Sequence, residues 1–127
     1  MSLAMLPRLS RLAPTLMLAS SLLALAPAAQ AEDQPMTGDQ IRATLTDKWM
    51  RSTDGEPSSM QLFLANGVTH YAQSGTTSKG RWEVRGDQYC STWPPSTAWD
   101  CYDMVQNGQE YIFISKAGRR FPVRLDK

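Results

Sequence analysis

The sequence predicts a small, mainly β domain: an antiparallel β-barrel or tight sandwich of seven or eight strands, with one N-terminal helix and one disulfide. Three observations carry this. From about residue 49 the apolar residues alternate with a period of two, and turn signals recur every eight to twelve residues. Ahead of that stretch lies a single helical signature at Thr37–Gln40. Cys90 and Cys101, finally, flank a Pro94-Pro95 turn with ten residues between them.

The chain of 127 residues opens on an export signal. Arg8 and Arg11 give a positive start, Leu12 to Ala28 carries no charge, and Ala29-Gln30-Ala31 has the small-x-small pattern of a cleavage site. Pro14 and Pro27 interrupt the apolar run, which falls short of the ~20 residues a spanning helix needs. The expectation is therefore a cleaved signal over 1–31, a polar leader over 32–36, and one domain over 37–127. An exported chain meets an oxidising environment, where two cysteines are expected to be bridged.

Of the 13 basic residues, Arg8 and Arg11 precede residue 32, which leaves 11 against 12 acidic ones. A balance this close to neutral excludes charge-driven binding of nucleic acid or an anionic membrane. The charge is uneven along the chain, however. Lys116, Arg119, Arg120, Arg124 and Lys127 crowd the C-terminus, and six carboxylates lie between Glu32 and Glu56. The basic end reads as a solvated edge strand or as a docking patch for an acidic partner.

Thr37 and Gln40 fit the S/T-x-x-E/Q capping box, and Met36 and Ile41 can form the hydrophobic staple. Ile41, Leu45 and Trp49 make one apolar stripe, so the helix is expected from Gly38 to about Asp47, plugging an open barrel end or packing across one side. Strands are expected over Trp49–Ser52, Met60–Ala65, Val68–Gln73, Gly80–Arg85, Gln88–Trp93, Ala98–Val105, Glu110–Ser115 and Phe121–Leu125. Asn66-Gly67, Gly86-Asp87 and Asn107-Gly108 supply turns, Ser74–Ser78 reads as a polar connection, and Pro122 suggests an edge position for the last strand.

Pairing Cys90 with Cys101 sets Tyr89 opposite Tyr102, Gln88 opposite Asp103 and Trp93 opposite Ala98. Directly opposed residues of a non-hydrogen-bonded pair lie ~4.5 Å apart at Cα, within disulfide range. One hairpin face then carries Tyr89, Trp93, Tyr102 and Met104, and the other carries the disulfide, Thr92, Trp99 and Val105.

Residues 37 to 125 resemble a group of small exported proteobacterial proteins classed as a domain of unknown function. The likeness rests on Gly38–Leu45, Ala65–Gly67, Gly80-Arg81-Trp82-Glu83-Val84, Cys90, Cys101-Tyr102, Gly108–Tyr111 and Gly118. It implies a β-barrel-like domain in the periplasm of a Gram-negative bacterium, or released from it, and it brings no catalytic residues. In size and export the chain is also similar to small barrel inhibitors of exported proteases, without a shared inhibitory motif.

The chemistry-bearing residues are sparse. His70 is the single histidine, and Ser74 and Ser58-Ser59 sit in loops with no nucleophile elbow. Asp100 and Asp103 fall on opposite hairpin faces, and Asp54-Gly55-Glu56 lacks calcium-loop spacing. Met36, Met50, Met60 and Met104 are scattered, and no phosphate loop opens a helix.

The sequence thus points to a non-catalytic envelope or secreted module with no cofactor and no metal. Its first reading is a protein-binding accessory or inhibitor, using Trp93, Pro94, Pro95 and Trp99 at the hairpin tip or Arg119 and Arg120 at the basic end. The partner would be another envelope or extracellular protein, on the expectation that a barrel this small is filled by its own side chains. The alternative is a lipocalin-like barrel taking a small apolar ligand at a mouth lined by Trp82, Trp93 and Trp99. A serine hydrolase built on His70 is the remote third.

Overall fold

The computed structural model describes residues 13–26 and 31–127. Arg8, Arg11 and, of the cleavage pattern, Ala29 and Gln30 lie outside the described residues. Residues 13–26 form no helix or strand and are exposed throughout, Leu16 to 83% and Leu25 to 93%. Among the described residues no helix is long and apolar enough to cross a membrane.

The leader Glu32–Met36 carries a short strand, β1 (Gln34–Pro35), and is followed by helix α1 (Gly38–Leu45). Eight strands come next: β2 (Lys48–Ser52), β3 (Ser59–Phe63), β4 (Val68–Gln73), β5 (Thr76–Arg85), β6 (Gln88–Thr92), β7 (Asp100–Asn107), β8 (Glu110–Ile114) and β9 (Arg120–Leu125). Each pairs antiparallel with its neighbour in sequence, and β9 pairs with β2, so β2 to β9 close into an up-and-down barrel. β1 extends the sheet along β7, Gln34 opposite Gln106 and Pro35 opposite Val105, where β7 has run past the end of β6.

The helix closes one end of the barrel. Its capping box is formed in both directions: the Thr37 hydroxyl accepts from the Gln40 amide at 3.3 Å, and the Gln40 side chain accepts from the Thr37 amide at 2.9 Å. Met36, Ile41 and Leu45 join the core with Phe63 and Trp82. Gly38 sits so tightly on the β5–β6 turn that a Cβ there would collide with the Gly86 carbonyl, while its amide donates to Asp87 at 2.8 Å. The helix stops at Leu45, short of the expected Asp47, because Thr46 turns extended and bridges to Phe63. Asp47 then adopts a left-handed φ of 59° and its carboxylate accepts from the Ala65 amide. Trp49 consequently belongs to β2 and is 39% exposed.

Two further expectations are corrected. Ser74–Ser78 is not a loop: Ser74 and Gly75, both at positive φ, make a two-residue turn between Gln73 and Thr76, and β5 starts at once. Nor is β9 an edge strand. Pro122 is tolerated inside a closed barrel because its nitrogen points toward the β2 seam just beyond the last pair, Ser52–Val123, where its carbonyl accepts from the Thr53 amide at 3.0 Å.

Part of the charge asymmetry is met by ion pairs. Arg120 binds Asp33 at 2.9 Å, Arg124 faces Glu110 at 3.6 Å, and Asp126 pairs with Arg51 at 3.0 Å. Asp33 thus ties the acidic leader to the basic C-terminus.

Candidate functional site

β5 runs the length of the barrel, and its two ends define different worlds. Val84 and Trp82 lie under the helix, whereas Ser78 and Lys79, at its start, line an open cup of about 770 Å³. The helix half is filled by large inward side chains. Phe63 meets Trp82 and Tyr89 edge-on at 5.6 Å each, and Tyr89 meets Phe113 at 5.0 Å. In the other half the inward positions of β2, β3, β5 and β6 are Ser52, Ser59, Ser78 and Ser91, too small to meet across an eight-strand barrel. The interior is therefore not filled throughout, contrary to the expectation for so short a chain.

The cup has aromatic walls. Trp93 is an inward residue whose indole folds sideways over Gly80 of β5: a Cβ on Gly80 would lie 2.7 Å from Trp93 Cε3. Only a glycine leaves room for the ring, which then reaches Tyr71 on β4, edge-on at 6.2 Å. In an eight-strand barrel β9 lies opposite β5. There Phe121 packs edge-on against Tyr102 at 6.2 Å, and the Arg119 guanidinium covers the outer side of Phe121 at 4.9 Å. The rim carries Asp54, Glu56, Pro94, Lys79 and Arg119.

The floor is polar and hydrogen-bonded. Gln61 Nε2 donates to Tyr89 Oη and to Thr69 Oγ1, both at 3.0 Å, and the Thr69 hydroxyl donates onward to the Leu62 carbonyl at 2.8 Å. Trp93 Nε1 donates to Ser91 Oγ at 3.3 Å. Burial pushes the Tyr89 phenol up to about 12, against hydrogen bonds from Ser91 and Gln61 that pull the other way. Tyr102 is raised as well, first by burial and then by the charge of Asp100.

The disulfide hairpin forms in the expected register, with Cys90 opposite Cys101 at a Cα separation of 4.0 Å and Tyr89 opposite Tyr102. Pairing stops at Ser91–Asp100, so Trp93 does not face Ala98. The tip instead satisfies its own backbone through Ser96, whose amide donates to the Trp93 carbonyl at 3.0 Å and whose hydroxyl accepts from the Ala98 amide at 3.2 Å. Cys90 and Cys101 lie on the outer face, since Tyr89, Ser91 and Tyr102 point into the cup.

Of the residues expected to bind, Trp93, Pro94 and Arg119 come together at the cup. Pro95 is exposed beside them without lining it. Trp99 lies on the outer face under the Arg85 guanidinium, 4.7 Å from its ring centre, and Arg120 is held by Asp33. Trp82, expected at the mouth, belongs to the helix half and donates to the Leu64 carbonyl at 2.9 Å. Sequence reasoning missed Gln61, Tyr71, Tyr102 and Phe121. The signal that could have found them is the inward phase of each strand, where serines at one end mark unfilled space.

His70 lies between the inward Thr69 and Tyr71 and so points outward, opposite Leu62 and Lys79. No serine hydroxyl hydrogen-bonds it, and no cluster of three or more metal-ligating side chains occurs, among the described residues. Compared with protein-family models, curated proteins and solved structures, the chain matches none.

Proposed function

We propose that this protein is a non-catalytic binding protein of an oxidising, extracytoplasmic compartment, and that it takes a small, largely apolar ligand into the open half of its barrel. The observation that carries this reading is the aromatic-walled cup of about 770 Å³ at the end opposite the helix. Small-molecule sites span roughly 300–1,000 Å³, and this one mixes aromatic rings with polar side chains such as Ser59, Gln61, Ser78 and Ser91. Eight-strand barrels are just wide enough to hold one such ligand. The compartment is supported by the Cys90–Cys101 bridge and by the apolar, charge-free stretch at the start of the chain.

The test is a fluorescence titration with 8-anilinonaphthalene-1-sulfonate, an aromatic probe whose sulfonate can stay at the rim beside Arg119 and Lys79. Saturable one-to-one binding is expected, weakened about tenfold or more by Tyr71→Ala or Phe121→Ala with the fold retained by near-ultraviolet circular dichroism. Binding that is absent, non-saturable or indifferent to both substitutions sinks the reading.

Protein docking is the second reading, favoured by Trp93, Pro94 and Arg119 sharing one rim. A pulldown from envelope extract with the Trp93→Ala, Trp99→Ala double variant separates the two: loss of one specific partner supports docking, and identical profiles remove it.

A further inference from the structure

The floor of the cup is arranged to read a particular kind of group, an inference that rests on the small-ligand reading above. Thr69 gives its single hydroxyl hydrogen to the Leu62 carbonyl, so toward Gln61 it can only accept. That fixes the Gln61 amide with its nitrogen toward Thr69 and Tyr89 and spends both amide hydrogens. Gln61 Oε1 makes no hydrogen bond among the described residues, and no buried side-chain oxygen or nitrogen there lacks a partner. Oε1 is therefore accessible, on an inward side chain that lines the cup.

The neighbouring hydroxyls complete the pattern. Tyr89 Oη accepts from Gln61, and Ser91 Oγ accepts from the Trp93 indole. The Tyr89 hydroxyl hydrogen goes to no protein group among the described residues and is left to give. The floor thus offers one fixed acceptor and one donor side by side, between the Tyr71–Trp93 wall and the Tyr102–Phe121 wall.

We propose that the ligand is a flat aromatic or heteroaromatic molecule entering with an uncharged edge that carries a hydrogen-bond donor beside an acceptor, as a carboxamide or a ring lactam does, and that Gln61 selects that edge. The walls favour a flat body, because aromatic rings pack edge-to-face or offset on one another, as Tyr71 with Trp93 and Tyr102 with Phe121 already do. The buried floor demands neutrality. It holds no counter-ion, since Asp54, Glu56, Lys79 and Arg119 all stand at the rim, and a bare charge pressed against apolar rings loses its hydration without repayment. The upward shifts of Tyr89 and Tyr102 agree with such a floor.

Three probes of one shape decide the matter at pH 7: benzamide, acetophenone and benzoate, titrated into the ¹⁵N-labelled protein. The Gln61 side-chain amide and the Trp93 indole signals report on the cup. Benzamide should bind about fivefold more tightly than acetophenone, the worth of one net hydrogen bond to Oε1. Benzoate should be weaker than benzamide by about tenfold or more, because it brings a charge and no donor. Gln61→Leu should level benzamide with acetophenone while both still bind. If Gln61→Leu does not fold, Tyr89→Phe replaces it and should weaken acetophenone, which uses only the donor. Equal binding of benzamide and acetophenone by the wild type, tightest binding of benzoate, or a benzamide preference that survives Gln61→Leu overturns the selectivity and leaves the small-ligand reading standing. Failure of all three probes to move the Trp93 and Gln61 signals overturns both.

Discussion

Gly80→Ala should destabilise the protein by forcing Trp93 off its seat. The added methyl carbon would lie 2.6 Å from the Thr92 carbonyl oxygen, 2.7 Å from Trp93 Cε3 and 2.9 Å from Cδ2. Carbon atoms prefer ~3.5–4.0 Å, so the indole must retreat by about 1 Å and lose its contact with Tyr71. A Gly→Ala change at a compatible site stabilises by ~0.4–1 kcal/mol through the unfolded chain. Overpacking a filled position costs about 1–3 kcal/mol, and here the backbone carbonyl cannot move aside, so overpacking wins. At ~4–8 °C per kcal/mol for a domain of this size, a net loss of about 1–2 kcal/mol lowers the melting temperature by roughly 4–16 °C. Thermal and urea unfolding measure the loss, and a double-mutant cycle with Trp93→Ala assigns it. Removing the indole should recover part of the cost, the carbonyl clash remaining. A Gly80→Ala protein as stable as the wild type, or strict additivity with Trp93→Ala, would refute this packing of the cup wall.

Replacing Cys90 and Cys101 together by alanine removes a short loop closure worth about 3 kcal/mol in the chain-entropy picture, read as a lower urea midpoint; an unchanged midpoint would mean that the crosslink adds nothing. Tyr89 gives an alkaline signature. Its phenol is raised from 10.0 to about 12 in the fold, so its contribution is fully present below pH ~10 and is lost as pH climbs toward ~12, about 3 kcal/mol in all. Tyrosinate absorbance should show one ring ionising only together with unfolding, and a single step near the ordinary phenol value for every tyrosine would contradict it. Asp33 acts at the acid end. Arg120 and then Asn107 hold its carboxyl below the ordinary 3.8, so its support of β1 is present above that value and fades as pH falls through the lowered one. Hydrogen exchange at the Met36 amide, which donates to the Met104 carbonyl at 2.9 Å, should quicken there and, in Arg120→Leu, already at neutral pH. Exchange that ignores both changes would leave β1 independent of the pair.

The parts of the fold written in local chemistry were readable in the sequence. The capping box, the Asn66-Gly67 and Gly86-Asp87 turns and the Cys90–Cys101 register each need only residues close in the chain, and each is present in the structure. The start of β5 was hidden because Thr76-Thr77-Ser78-Lys79 reaches past the core, so no apolar alternation marks it. Pro122 misled because a ladder position without a partner occurs at the end of a seam as well as on an edge. The cup was the least legible feature. Its existence depends on which end of the barrel the helix fills, and its walls on the Trp93 ring, just past β6, folding across β5 to reach β4. Trp93 was picked out both as a tip anchor and as a mouth residue, and Arg119 as part of a basic docking end. Arg119 is exposed at the rim, while Trp93 is half-buried against Gly80 and Tyr71.

The four tryptophans stand in four different surroundings, which makes their indole N–H signals the most direct test of the account. Trp93 lines the cup, Trp82 lies in the helix half, Trp99 lies under Arg85 outside, and Trp49 stands exposed on β2. As 8-anilinonaphthalene-1-sulfonate is added to the ¹⁵N-labelled protein, the Trp93 signal should move and saturate while those of Trp99 and Trp49 stay in place. Movement of Trp99 or Trp49 with Trp93 unchanged would show that the barrel offers its outside rather than its interior.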